Sequence, residues 1–150
     1  MRRIVVSAAV VFVAAALMIQ LVPYGRNHTN PPVTMEPRWD RPRTRALAVR
    51  ACFDCHSNET VWPWYSSVAP VSWLVQRDVD EGRRELNFSE WHRPQGEADE
   101  SAGTVRKGEM PPWFYSAGVR HARLTAEERS SLAAGLAATL GTERPKDRDR

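Results

Sequence analysis

The stretch Ala51-Cys52-Phe53-Asp54-Cys55-His56-Ser57-Asn58-Glu59-Thr60 decides how this chain is read. Its cysteines are the only two in 150 residues, they stand three apart, and a histidine directly follows the second. C-x-x-C-H is the spacing of covalent c-type haem attachment. Two thiols about one helical turn apart reach the two vinyl groups on one edge of a porphyrin, and the next side chain falls under the iron, where an imidazole nitrogen binds. The pattern predicts one covalently attached haem c held by Cys52 and Cys55, with His56 as an axial ligand. Other uses of these residues fit less well. Zinc could draw on Cys52, Cys55 and His56, but adjacent Cys and His rarely suit one tetrahedral ion and no fourth donor is evident. A thioredoxin-like dithiol needs a βαβ context, which the pattern lacks. A disulfide between cysteines three apart on a helix is strained.

Upstream of this stretch, Met1-Arg2-Arg3 precedes a run from Ile4 to Val22 that is apolar apart from Ser7 and Gln20. The run exceeds the roughly 7 to 15 residues of a signal h-region and matches the about 17 to 25 of a spanning helix. No small-x-small cleavage site follows in Leu21-Val22-Pro23-Tyr24-Gly25. Tyr24 stands where an interfacial aromatic would, and Arg2 with Arg3 holds the amino end in the cytoplasm. Residues 1–25 are therefore expected to be an uncleaved, single-pass transmembrane anchor in the cytoplasmic membrane, with the rest of the chain on the extracytoplasmic, periplasmic side. Residues 26–43 contain Pro31, Pro32, Pro37 and Pro42 among polar residues and read as a Pro-rich tether, a plain spacer whose end Trp39 could pin.

A short helix into the C-x-x-C-H motif is expected from Thr44, its N-cap, through Ala51. Downstream, Thr60-Val61-Trp62-Pro63-Trp64-Tyr65-Ser66 is too aromatic and proline-broken for a helix interior; Trp62, Trp64 and Tyr65 are candidate walls of a porphyrin pocket or simply core, and Trp113 joins the pocket candidates. Pro70 to Leu86 reads as a helix, with Pro70 in its first turn, Val71, Leu74, Val75 and Val79 at three-four spacing and charges opposite. Glu97 to Gly108 predicts a modest helix weakened by Gly103 and Thr104. Thr125 and Glu128 form a capping box ahead of Leu132, Leu136 and Leu140, and Gly141 stops that helix. Residues 142–150 read as a charged tail. With no strand-like alternation, the chain is expected to be all-α: a small helical domain over 44–141 behind the anchor.

Charge excludes one class of partner. Residues 1–50 hold eight arginines against two acids, whereas residues 77–109 hold nine acids against six bases. No continuous basic stripe results, so nucleic acid is not a partner.

The other face of the iron has three candidates within the domain: Met110, His121 and His92. Met110 precedes Pro111-Pro112, a stiff context that presents a side chain at little entropic cost, and a thioether ligand raises the iron potential relative to a second imidazole. Local context leaves the choice open. Arg50, Arg83 and Arg84 are candidates by charge for the propionates.

Beyond the attachment motif, Cys52 to Tyr65 as a whole resembles the signature of the bacterial haem-binding domain family, small membrane-tethered proteins similar to c-type cytochromes. The likeness continues in Ala69-Pro70-Val71-Ser72-Trp73, in Gly82 to Trp91, in Gly108-Glu109-Met110-Pro111-Pro112 and in His121 to Glu128. The resemblance implies a cytochrome-c-like helical domain with haem on Cys52, Cys55 and His56, and Met110 as sixth ligand. An electron carrier serving redox partner proteins of the membrane or periplasm is the expected function, and not an enzyme. The alternatives are a haem-based sensor or a peroxidase-like enzyme with a labile sixth ligand; a peroxidase needs an open axial position, and no distal acid–base pair stands out.

Overall fold

The computed structural model describes residues 1–141; the expected charged tail at 142–150 lies outside the described residues. Among the described residues seven α-helices follow one another: α1 (Arg2–Ile19), α2 (Pro42–Ala51), α3 (Phe53–His56), α4 (Val71–Glu85), α5 (Ser101–Lys107), α6 (Trp113–Gly118) and α7 (Ala126–Leu140), with single 3-10 turns at Trp64–Ser67 and Arg120–Ala122. Among the described residues no strand forms, only an isolated parallel bridge between Met35 and Glu90. The chain is all-α, as expected. Its contacts divide it into two units: Met1–Thr29 with Trp62–Asp78, and Asn30–Val61 with the chain from Val79 onward.

In the first unit α1 has no buried residue and is long and apolar enough to cross a membrane. Just past its end, the Gln20 carboxamide donates to the Ala69 carbonyl and accepts from the Ala69 N–H, both at 3.0 Å. Gly25 has φ +79 and lies so close to α4 that a Cβ there would stand 2.4 Å from the Ser72 carbonyl oxygen, which only glycine permits. The His28 ring stacks on Trp62 with centroids 4.7 Å apart.

The second unit is built on α7. Its Leu132, Leu136 and Leu140 are buried against Leu47, Ala48 and Ala51 of α2 and Ala102 and Val105 of α5; each buried leucine contributes about 1.5–3 kcal/mol over an exposed one. The helices α2 and α7 approach so closely that a Cβ on Gly135 would overlap the buried Thr44 side chain. An aromatic cluster completes the core: Phe53 stacks on Phe88 at 5.5 Å, and Trp39 and Trp91 flank Phe88 at 5.2 and 6.3 Å.

Two expectations change. Thr44 is not a cap: Pro42 takes the first helical position behind an extended Arg41, and Thr44 is buried inside α2. The segment after residue 29 is no plain spacer. Thr34 and Met35 donate to the Ser89 carbonyl, Trp91 donates to that of Met35, and Glu36 takes a two-pronged bond from Arg45 and one from Trp39, all three at 2.7 Å. Trp39 does pin the end of this segment, and the Arg45 fork holds the Glu36 carboxyl below its ordinary value. In addition, α6 forms directly after Pro112, in a stretch for which no element was predicted; a proline ahead of the first turn is a favourable helix start. By contrast α4 lies within a residue of its predicted span, and α7 carries the predicted box, with Glu128 N–H donating to Thr125 Oγ1 at 3.1 Å and Thr125 N–H to Glu128 Oε2 at 2.9 Å.

Candidate functional site

Cys52 closes α2, donating its N–H to the Ala48 carbonyl at 2.8 Å, and its own carbonyl accepts from Cys55 and His56 at 3.1 and 2.9 Å. That single turn places Cys52 at the amino end of α3 and Cys55 and His56 at its last two positions. No disulfide joins the two thiols. Burial, and then the neighbouring Cys55, pushes the Cys52 thiol up to about 12, so it is protonated at neutral pH.

The carboxyl-terminal part of α4 orients the histidine. His56 Nδ1 lies 3.0 Å from the Gly82 carbonyl and 3.1 Å from that of Leu86. Carbonyls only accept, so the proton is on Nδ1 and Nε2 carries the lone pair. This is the arrangement that fixes tautomer and orientation in metal-binding histidines. Burial lowers the His56 pKa, with the two carbonyl bonds opposing, and so favours the neutral ligand form. The chain returns the contact at His56 O, which accepts from Phe88 N–H at 2.8 Å.

Residues 57–60 lock the turn from the other side. Ser57 Oγ donates to Phe53 O at 2.8 Å, and Thr60 Oγ1 donates to Asp54 O at 2.7 Å. Buried Asn58 donates to Glu90 Oε1 and Pro32 O and accepts from Asn87 Nδ2 at 2.9–3.0 Å. Arg83 donates to Ser57 O at 2.8 Å and to Thr60 Oγ1 at 3.0 Å. Tyr115 OH donates to Asp54 Oδ2 at 2.6 Å, and burial followed by that bond raises the phenol pKa. Arg83 was a candidate for the propionates and is instead bonded to this turn; the other supports were not foreseen as parts of the site, though polar residues right behind a C-x-x-C-H motif were their visible signal.

Cys52, His56 and Met110 line one cavity of about 60 Å³, walled by Leu86, Phe88, Val105 and Leu136, with Glu97, Ser101 and Thr104 at its edge. Met110 reaches it from the turn after α5. Gly108 ends that helix at φ +80, Met110 N–H points to Thr104 O at 3.4 Å, and Arg129 Nη1 bonds the carbonyls of Val105 and Met110 at 3.3 Å. Arg129 was missed, since nothing in its local sequence ties it to residue 110.

The remaining candidates lie elsewhere. His92 is exposed beside the Thr34 hydroxyl, and His121 is exposed on the second 3-10 turn. Trp113 is 80% exposed on α6, packed edge-on to Phe114. Trp62, Trp64 and Tyr65 belong to the first unit, where Trp62 stacks on His28 and Trp64 meets Tyr65 edge-on at 5.9 Å. Arg50 pairs with Glu128 at 2.7 Å and Arg84 with Glu85 at 3.0 Å.

A family model described as haem-binding domain matches residues 14–138. No curated protein and no solved structure matches the chain.

Proposed function

The chain belongs to the haem-binding domain family, and from that premise we propose that it is a membrane-anchored c-type haem protein that transfers electrons on the extracytoplasmic side. The donor set suits the group. Cys52 and Cys55 would hold the porphyrin through thioethers, and His56 and Met110 would take the two axial positions. The observation that carries the reading is His56. Its Nδ1 proton is taken by two backbone carbonyls, which leaves Nε2 as a neutral donor in a cavity that Cys52 and Met110 also line.

When bound, haem supplies a one-electron iron couple whose potential its axial ligands set. The chain's part is to hold and tune. Gly82 and Leu86 fix the imidazole, Phe88, Leu86, Val105 and Leu136 exclude water, and Gly108 with Arg129 aims Met110. The cavity is well under the roughly 300–1,000 Å³ of ordinary ligand pockets, so admitting a tetrapyrrole requires its walls to part. The Met110 turn is tied through Glu109 and Gly108 by bonds of 3.0 and 3.1 Å, and at Met110 itself only by longer ones of 3.3–3.4 Å. Those longer bonds at residue 110 are what the second reading draws on, a sensor or peroxidase-like protein whose Met110 leaves the iron.

The anchor places the domain where haem is attached, outside the cytoplasm, within reach of membrane and periplasmic redox proteins. Retention of the anchor against cleavage after residue 20 is supported by the two-way bond between Gln20 and Ala69, which such cleavage would remove.

The test is co-expression of the full chain with a haem c maturation system, then intact mass and haem absorbance after denaturation. One haem per chain is expected, retained through denaturation and lost in a Cys52→Ala/Cys55→Ala variant. An unchanged mass with no haem absorbance overturns the reading. A high-spin five-coordinate protein that turns over peroxide selects the second one.

A further inference from the structure

We infer that the segment from Trp62 to Gln76 is a second membrane contact, a face that lies in the headgroup region of the bilayer beside the exit of α1. The inference rests on the reading of α1 as a retained anchor.

Seventeen consecutive residues, Thr60 to Gln76, carry no charged side chain, in a protein of which 26% is charged. The tract is nevertheless at the surface. Trp64 is 81% exposed, Leu74 59%, Val68 46% and Val71 40%, while Ser66, Ala69 and Ser72 are the residues turned inward. Small and polar side chains inside with large apolar ones outside is the reverse of what water selects. Val71 and Leu74 are three apart on α4 and share one helix face.

The position of the tract identifies its occupant. Eighteen residues of α1 span about 27 Å, close to the hydrocarbon thickness, which puts Gln20 at the interface. Gln20 is bonded in both directions to Ala69. Two further ties follow within the same unit: Gly25 against Ser72, and His28 stacked on Trp62 with its Nε2 3.0 Å from Ser66. The exposed apolar face is thus fastened, residue by residue, to the chain emerging from the membrane. Trp64 and Tyr65, packed edge-on, supply the amphipathic rings that concentrate at headgroup level. The absence of charge matches a surface that settles by apolar and aromatic burial, without any basic patch for anionic lipid.

The experiment reconstitutes the full chain into phosphatidylcholine vesicles doped with a phospholipid bearing a diazirine near the top of its acyl chain, then photolyses and maps adducts by mass spectrometry. Adducts are expected in 4–19 and in 62–76. Adducts in 4–19 without any in 62–76 overturn the inference while leaving the anchor intact. No adducts in either overturn the anchor reading and the inference with it. In a Trp64→Ser/Leu74→Ser variant, chosen because both side chains are exposed, adducts in 62–76 should be lost and those in 4–19 retained. Equal labelling of 62–76 in that variant also overturns the inference.

Discussion

Gly82 and Cys55 meet backbone to backbone: a Cβ on Gly82 would stand 2.5 Å from the Cys55 carbonyl oxygen. A glycine inside α4 is otherwise a cost of about 0.5–1 kcal/mol relative to alanine, so its place there is dictated by the turn it supports. Gly82→Ala is expected to lower stability by about 1–3 kcal/mol through overpacking and to reduce the yield of haem-loaded protein. Gly103 in α5 has no atom within 4 Å of a built Cβ, so Gly103→Ala is expected to gain up to about 1 kcal/mol. Thermal melts of both variants in detergent check the pair, and a rise in Tm for Gly82→Ala contradicts the close approach.

Met110 is the candidate sixth ligand that shares a cavity with His56. In the haem-loaded protein, Met110→Ala should remove the sulfur-to-iron charge-transfer band and lower the potential, because a thioether favours reduced iron more than water or imidazole does. His121→Ala and His92→Ala, at exposed positions, should leave spectrum and potential as they were. Oxidised and reduced absorption spectra with a redox titration decide it. An unchanged Met110→Ala spectrum moves the ligand to another residue.

Asn58 is buried and bonds Pro32, Glu90 and Asn87 through its side chain alone. Removing it strands the buried Asn87 amide, at a cost of about 1–3 kcal/mol, and gives up the bonds to the part-exposed Glu90 and to Pro32. Asn58→Ala is expected to lose about 2–4 kcal/mol on that scale. Asn58→Asp should fare no better, because it replaces the donor facing Glu90 with a second carboxylate. Urea unfolding midpoints measure both, and a loss within error of zero for either variant would sink the assignment of this network.

How much of this was legible follows from range. Thr125 and Glu128 lie three apart and signal their own helix start, so α7 was readable. The three-four spacing of Val71, Leu74, Val75 and Val79 marked α4 in the same way. Cys52, Cys55 and His56 lie within five residues of one another, so the candidate site could be named from the sequence. What was hidden acts across the chain. Gly82 and Leu86 reach His56 from 26 and 30 residues away, and Arg129 holds the Met110 carbonyl from 19 residues on. Residues 26–43 looked like a spacer because prolines exclude helix, yet proline-rich chain lends its carbonyls freely, and Pro32 O and Met35 O are used in that way. Thr44 looked like a cap because threonine often is one; burial against Gly135 overrode that preference.

Glu128 offers a pH test that stays clear of the haem site. Its hydrogen bond to Arg50, followed by that from the Thr125 N–H, lowers its carboxyl from the ordinary 4.5 to about 2. A group whose pKa is depressed on folding contributes stability above its unfolded value and loses it as pH falls through the folded one. The contribution should therefore be complete above about pH 4.5 and fade toward pH 2. Glu128→Gln keeps an oxygen for the Thr125 N–H and so preserves the capping box, but it gives up the ion pair with Arg50. The variant should melt slightly below the parent at pH 7, and the gap should close as pH drops from 4.5 to 2. Added salt should shrink the gap at pH 7, since the pair is half-exposed. Far-UV circular dichroism melts across that range read the difference directly; a gap that stays constant with pH would mean the Arg50 pair contributes nothing to the fold.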